Sequence, residues 1–179
     1  MPRISIVLLS ALTFSLFGLA LRVVFASRGE QQTATRLVVV VGTACSGLHV
    51  YLLATVPLQP TYAALGAVFY LSACALFLWT AHSVRGRDFR LAYAPSKPIE
   101  VFARGPYRWV RHPFYLSYTI AWLAGVVALS EPRLVPTLAI MLAFYVGAAY
   151  LEERQMLRGP TARAYRTYRR HVGVLLPRF

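Results

Sequence analysis

Five apolar runs, each about as long as a bilayer is thick, limit what this sequence can fold into. A helix needs about 20 apolar residues to cross the hydrocarbon core, with a lower limit of about 17 to 18. With 58% hydrophobic residues, the chain exceeds the usual content of soluble domains. The sequence therefore predicts an all-α, polytopic membrane protein with about five transmembrane helices, at approximately residues 4–26, 37–56, 62–81, 113–130 and 134–151.

The segments between these runs differ in length and polarity. The turn at 57–60 and the link at 131–133 are so short that they can only join antiparallel neighbours. The longest polar stretch is predicted to be a loop that can include a short interfacial helix. We interpret residues 1–179 as a single membrane domain, divided into a three-helix scaffold (1–81), a loop (82–112), a helical hairpin (113–151) and a tail (152–179).

The tail is amphipathic. Tyr165, Tyr168 and Val172 recur at helical spacing, whereas arginines cover the other faces. This pattern predicts a C-terminal amphipathic helix that lies in the membrane interface.

Basic residues are distributed unequally between the two sides of the predicted membrane. The connectors 27–36, 82–112 and 152–179 hold two, seven and seven of them, whereas the opposite side holds only Arg3 and Arg133. The positive-inside rule then predicts an external N-terminus and a cytoplasmic C-terminus, as in a multi-pass protein of a bacterial inner membrane. The net charge of +13 comes with no nucleic-acid readout module, so nucleic acid is excluded as a partner. No obligate protein partner is evident.

Two polar clusters flank the predicted hairpin. The first is residues 105–113, Gly-Pro-Tyr-Arg-Trp-Val-Arg-His-Pro, which we name the RHP segment; the second is the pair Glu152 and Glu153. Because a hairpin returns to the face where it began, we expect the two clusters to meet. Adjacent acids at the C-terminus of a helix oppose its dipole, and a local conflict of this kind is typical of a ligand site.

Each cluster also has a simpler interpretation. The glutamates could form a solvated helix end paired with Arg154 or Arg158. Arginine at a membrane boundary commonly sets topology, and a histidine before a proline can cap a helix. Residue types and spacing alone therefore leave the reaction open.

The order of the motifs resembles the isoprenylcysteine carboxyl methyltransferase and phospholipid methyltransferase superfamily. The resemblance covers roughly the last 75 residues. It rests on Gly-Pro-Tyr at 105–107, Arg-His-Pro at 111–113, Tyr115, the two glutamates, Tyr165 with Tyr168, and Leu-Pro-Arg at 176–178. One departure is visible, because Thr161-Ala162 stands where that superfamily commonly has Phe-Gly before the first tail tyrosine.

The resemblance implies an integral membrane enzyme that binds S-adenosylmethionine at the cytoplasmic side without a Rossmann fold. A glutamate would bind the ammonium of the cofactor, and the start of the fourth helix with Arg111 and His112 would bind its carboxylate. Tyrosines would cover the adenine and the sulfonium, although each could equally be an interfacial anchor. The implied cofactor-binding residues are Gly105, Tyr107, Arg111, His112, Pro113, Tyr115, Glu152, Glu153, Tyr165 and Tyr168.

The implied catalytic residues are Arg111, His112, Glu153 and Arg170, with no metal. The expected acceptor is an amphipathic, lipid-like or prenylated molecule that arrives from the bilayer. A carboxylate acceptor would need a cation such as Arg111 or Arg170, whereas a hydroxyl or amine would need a base such as Glu153 or His112. O-, N- and S-methylation all stay open.

Two other functions are considered. A haem-handling or small-molecule carrier is suggested by His49, an ionisable group within an apolar run, with Cys45 one turn earlier. Two ligands are fewer than a metal site needs, and a neutral histidine bonded to a neighbouring helix is the simpler interpretation. A nicotinamide-dependent sterol reductase is the third possibility; those enzymes have further transmembrane helices that this sequence does not contain.

Overall fold

The computed structural model describes residues 2–24, 32–85, 101–130 and 132–178, which are mainly helical. The α-helices are α1 (Pro2–Val24), α2 (Gln32–Thr55), α3 (Pro60–Ser83), α4 (Pro113–Leu129), α5 (Val135–Met156) and α6 (Ala162–His171). Single 3-10 turns occupy Gly105–Arg108 and Pro132–Leu134. The described residues contain no β-strand, and the predicted all-α fold is confirmed.

Helix boundaries differ from the prediction mainly at polar residues. Helix α5 does not end at Leu151 but continues to Met156, so both glutamates lie inside the helix and not beyond it. Residues 86–100, about half of the predicted loop, lie outside the described residues. So do residues 25–31, which include the predicted end of the first helix. Between 101 and 112 the chain forms the 3-10 turn and no interfacial α-helix.

Three helical stretches are long and apolar enough to cross a membrane, namely Leu37–Thr55, Pro60–Ser83 and Pro132–Met156. Two more, Arg3–Leu19 and Pro113–Leu129, are apolar but slightly shorter. A short apolar helix can still span where the bilayer thins locally. Exposed leucines on α1, including Leu8 and Leu12, suit contact with lipid. The chain is therefore a multi-pass integral membrane protein.

The described chain forms two compact units: one from residues up to Cys74 with Tyr118–Phe144, and one from Ala75–Ser117 with the residues from Tyr145 onward. In the first unit α3 and α4 approach closely at Gly66, where a Cβ would lie 2.5 Å from that of Ala128. Small residues allow helices in membranes to pack in this way.

One end of the first unit collects three chain segments. The Arg3 side chain donates to the Val56 carbonyl at 3.3 Å, and Val56 packs with Leu129 and Leu134. The start of α1, the α2–α3 turn and the α4–α5 link therefore lie together, as antiparallel connection of the helices requires.

In the second unit the chain beyond α6 pairs with the RHP segment. A parallel β-bridge joins Val110 and Gly173. The Arg111 N–H donates to the Gly173 carbonyl at 2.8 Å, and the His112 N–H donates to the Val174 carbonyl at 3.1 Å. These backbone bonds fix the two residues beside the end of α5.

Candidate active site

Arg111 and Glu153 form the centre of the site. The Arg111 Nε donates to Glu153 Oε1 at 2.8 Å and Nη2 donates to Oε2 at 3.3 Å, a bidentate pair. The side chains are only 8% and 11% exposed. Because both charges are shielded from water, each needs the other to remain stable in the folded protein.

Arg111 also holds the tail. Its Nη1 donates to the carbonyls of Arg169 at 3.0 Å and Val172 at 2.6 Å. A guanidinium has five N–H donors, so these bonds and the carboxylate pair leave one for other partners. Arg111 therefore joins α5 to the end of α6, and this geometry favours a positioning role over a ligand-binding one.

His112 lies between the two carboxylates. Its Nδ1 is 3.4 Å from Glu152 Oε2 and its Nε2 is 3.2 Å from Glu153 Oε1. Both ring nitrogens can donate only when the imidazole is protonated. Burial opposes that charge, but the hydrogen bonds and negative charges of both glutamates outweigh it and raise the pKa of His112 above its usual value. When His112 is protonated, two cations balance two anions.

Glu152 is the more accessible carboxylate of the pair, with a side chain 34% exposed. It accepts a 2.6 Å hydrogen bond from the Tyr115 hydroxyl. The Tyr115 ring stacks on His112 and on Tyr145, each with centroids 5.5 Å apart. Helices α4 and α5 together thus place the partly exposed Glu152 carboxylate beside a stack of aromatic rings.

The tail tyrosines have different surroundings. The Tyr168 hydroxyl donates to the Tyr107 carbonyl at 2.6 Å, and burial raises the pKa of Tyr168 to about 12. Tyr165 is 5% exposed, and burial, followed by the charge of Glu153, raises its pKa as well. Both phenols are neutral near pH 7, so neither serves as a base.

Packing accounts for three backbone positions in and beside the RHP segment. Gly105 has a φ of +57°, and a Cβ there would collide with the Ser83 side chain. Pro113 is fully buried and begins α4, a position suited to proline. At Gly173 a Cβ would collide with the Leu176 carbonyl.

Most of the sequence-predicted site residues meet here, but Arg170 is placed elsewhere. Arg170 is exposed on α6 and lines a separate cleft with Leu157, Arg166 and Arg169. Two contributors were missed by sequence reasoning. Tyr145 lies two helical turns before Glu152, a spacing that could have indicated that both lie on one face of the helix. The carbonyl of Val172 could not be predicted from the sequence, because every residue type has a backbone carbonyl.

His49 has the environment of a packed residue. It is fully buried, and its Nε2 lies 2.7 Å from the Thr137 hydroxyl, which itself donates to the Leu134 carbonyl. Nε2 is therefore the donor, and Nδ1 has no hydrogen-bond partner among the described residues. A Cβ on Gly125 would collide with the ring. No group of three metal-ligating side chains occurs in the described part of the chain.

Comparison with known proteins identifies the family. The profile of the isoprenylcysteine carboxyl methyltransferase (ICMT) family matches residues 64–158, slightly more than half of the chain and including the RHP segment and both glutamates. A methanethiol S-methyltransferase from Pseudomonas deceptionensis is 33% identical over 88 residues, which cover 48% of this chain and 32% of that enzyme. This chain thus matches about a third of its relative's length. No solved structure gives a significant match. The chain belongs to the isoprenylcysteine carboxyl methyltransferase family.

Proposed function

We propose that the protein transfers a methyl group from S-adenosylmethionine to a hydrophobic acceptor that carries a thiolate or a carboxylate, at the cytoplasmic face of the membrane. The observation that carries the proposal is the partly exposed Glu152 carboxylate, held by Tyr115 and His112 beside stacked aromatic rings. S-adenosylmethionine supplies a methyl group bound to a positively charged sulfur, which becomes neutral once the methyl has left.

The donor set of the site fits this cofactor. Glu152 keeps lone pairs that can accept from the cofactor's ammonium, because each carboxylate oxygen accepts two hydrogen bonds. The first turn of α4 offers backbone N–H groups and the positive end of the helix dipole to the carboxylate of the cofactor. Tyr115 offers an aromatic face for the adenine or the sulfonium.

Arg111 and Glu153 act behind this surface as positioning residues. They bind each other and the tail carbonyls, so they hold Glu152 and the start of α4 at a fixed separation. A rigid arrangement is what methyl transfer requires, because in-line displacement gains mainly from alignment of the reactants.

The protonation states favour an acceptor that is already ionised. His112 lies between two carboxylates, whose hydrogen bonds and charges outweigh its burial and raise its pKa, which favours the protonated ring. Burial raises the pKa values of Tyr165 and Tyr168. None of these three side chains is therefore a ready base at neutral pH. A carboxylic acid is ionised at neutral pH without help, and a thiol with a pKa of about 8.5 is ionised to a few per cent and is strongly nucleophilic, whereas an alcohol is not ionised.

The names of the family and of the relative agree with this acceptor class. The family is named for a carboxylate on a prenylated cysteine, and the relative for methanethiol. Incubation with methyl-labelled S-adenosylmethionine and a panel of alkanethiols, prenylcysteines and lipid alcohols measures the preference. Label on the alcohols alone would contradict the proposal.

Cofactor binding is tested by calorimetry on the detergent-purified protein. Glu152→Gln keeps an oxygen for the Tyr115 hydroxyl but removes the charge. We expect affinity for S-adenosylmethionine to fall about 10- to 100-fold, since a hydrogen bond to a charged group contributes about 1.5–3 kcal/mol.

The matched control is Arg154→Gln, an exposed charge change in the same turn of α5, which should leave the affinity unchanged. Thermal unfolding of both variants shows whether the fold is intact. If a well-folded Glu152→Gln protein binds the cofactor as tightly as the wild type, Glu152 does not bind the ammonium.

A further inference from the structure

Helix α6 carries a second cluster of charge, separate from the residues around Glu152. The side chains of Arg166, Arg169 and Arg170, together with Leu157, line an open cleft of about 330 Å³. The spacing i, i+3 and i+4 places the three arginines on one face of the helix. We name this feature the arginine cleft.

Among the described residues, no carboxylate neutralises these charges. The described residues contain two carboxylates, Glu152 and Glu153, and both are engaged by Arg111, His112 and Tyr115. Within the described ranges none of the three guanidinium groups has an ion-pair partner. Like charges one turn apart destabilise a helix, so the cluster is better satisfied by an anion from outside.

The helix that presents these arginines is firmly held. Tyr165 is buried beneath it, the Tyr168 hydroxyl bonds to Tyr107, and Arg111 bonds to the carbonyl of Arg169. The guanidinium groups therefore extend from a fixed backbone, which lowers the entropic cost of binding a ligand.

The position of the cleft along the chain indicates which anion it meets. The apolar run of α5 ends near Leu151 and the helix ends at Met156; the next residue, Leu157, forms the apolar side of the cleft. Near this end of α5, Tyr150 and Leu151 are 63% and 59% exposed, as expected for residues in contact with acyl chains. The cleft therefore opens just beyond the apolar part of a transmembrane helix, on the side where the lipid headgroups lie.

We propose that the arginine cleft binds the phosphate of an anionic phospholipid, whose acyl chains extend along the end of α5. Guanidinium forks match phosphate oxygens in bidentate geometry. A zwitterionic lipid brings its own cation and so neutralises the cluster less well. The arginine cleft includes none of the residues proposed to bind the methyl donor. This proposal can therefore be tested separately from the proposed function.

The test is native mass spectrometry of the detergent-purified protein with phosphatidylglycerol or phosphatidylcholine of identical acyl chains. The wild type should retain phosphatidylglycerol preferentially, with one molecule held most tightly. In the variant Arg166→Gln, Arg169→Gln, Arg170→Gln, binding of that molecule should weaken by about 10- to 100-fold, in line with the attraction of basic residues to anionic lipid.

The control variant, Arg154→Gln, Arg158→Gln, Arg163→Gln, removes the same charge from exposed positions that do not line the cleft and should keep the tight lipid. Equal losses in both variants would mean diffuse attraction and overturn the proposal. Titration with inorganic phosphate separates the sources: binding of free phosphate as tight as that of the lipid would make this a soluble-anion site. Unfolding temperatures of both variants show whether a loss arises from misfolding.

Discussion

His112 shows how a single residue can carry a charge inside a buried cluster. A protonated ring offers one N–H donor to each of the two carboxylates. Its positive charge then balances the negative charge that Arg111 does not neutralise. If His112 only capped α4, one of its two ring nitrogens would be enough, so the capping interpretation does not account for the contacts with both carboxylates.

The raised pKa of His112 predicts a pH-dependent stability. In the unfolded chain the pKa of a histidine is about 6.5, and in the folded protein it is higher. The stabilisation is therefore fully present below about pH 6.5 and is lost as pH rises through the folded pKa. Thermal unfolding in detergent from about pH 6 to about pH 9 should show this decline in the wild type and a smaller one in His112→Gln. Identical pH profiles would mean that His112 is neutral in the folded protein.

Sequence reasoning predicted that the two polar clusters meet, but not the full set of contacts between them. The RHP segment and the glutamate pair were expected to meet, because a hairpin returns to the face where it began. It could not be foreseen that Arg111 would be occupied by Glu153 and two tail carbonyls. Those carbonyls belong to residues whose types carry no information about the bond, so only the folded backbone shows it.

Among the helices, α5 differs most from what hydropathy predicts. Its apolar run ends near Leu151, but the helix continues to Met156, since charged residues are good helix formers. The glutamates oppose the helix dipole, yet Arg111, His112 and Tyr115 provide compensating partners on their side chains. Hydropathy thus gives the membrane boundary, and side-chain contacts give the helix boundary.

The 3-10 turn of the RHP segment depends on a residue without a side chain. Gly105→Ala combines a left-handed φ with a collision against Ser83, and we expect a loss of about 1–3 kcal/mol in unfolding free energy. Chemical unfolding measures it. Adding Ser83→Gly should restore only part of the loss, because the backbone strain persists.

Gly147→Ala is the control for this substitution. Gly147 lies in α5, and an added Cβ there would have no neighbouring atom within 4 Å. Alanine at this position should therefore be neutral or stabilising by up to about 1 kcal/mol. A neutral Gly105→Ala variant would show that another residue fits the turn.

At the scale of the whole molecule, charge distribution predicts orientation. The three connectors with two, seven and seven basic residues should face the cytoplasm, and the side with Arg3 and Arg133 should face outward. The grouping of Arg3, the α2–α3 turn and the α4–α5 link at one end of the first unit agrees with this division into two sides.

Cysteine labelling in intact bacterial cells checks the orientation. In a Cys45→Ser, Cys74→Ser background, a membrane-impermeant thiol reagent should label Gln59→Cys directly. Thr167→Cys, also at an exposed position, should react only after the membrane is permeabilised. The reverse pattern would place the glutamates and the arginine cleft on the outer face.

The bond from Arg111 to the Val172 carbonyl spans 61 residues of chain. A chain that ends between α5 and α6 contains helices α1 to α5 but lacks that carbonyl, so its helices can insert while the site is incomplete. Premature stop codons between α5 and α6 should therefore release chains that integrate in the bilayer and persist there but show no catalysis.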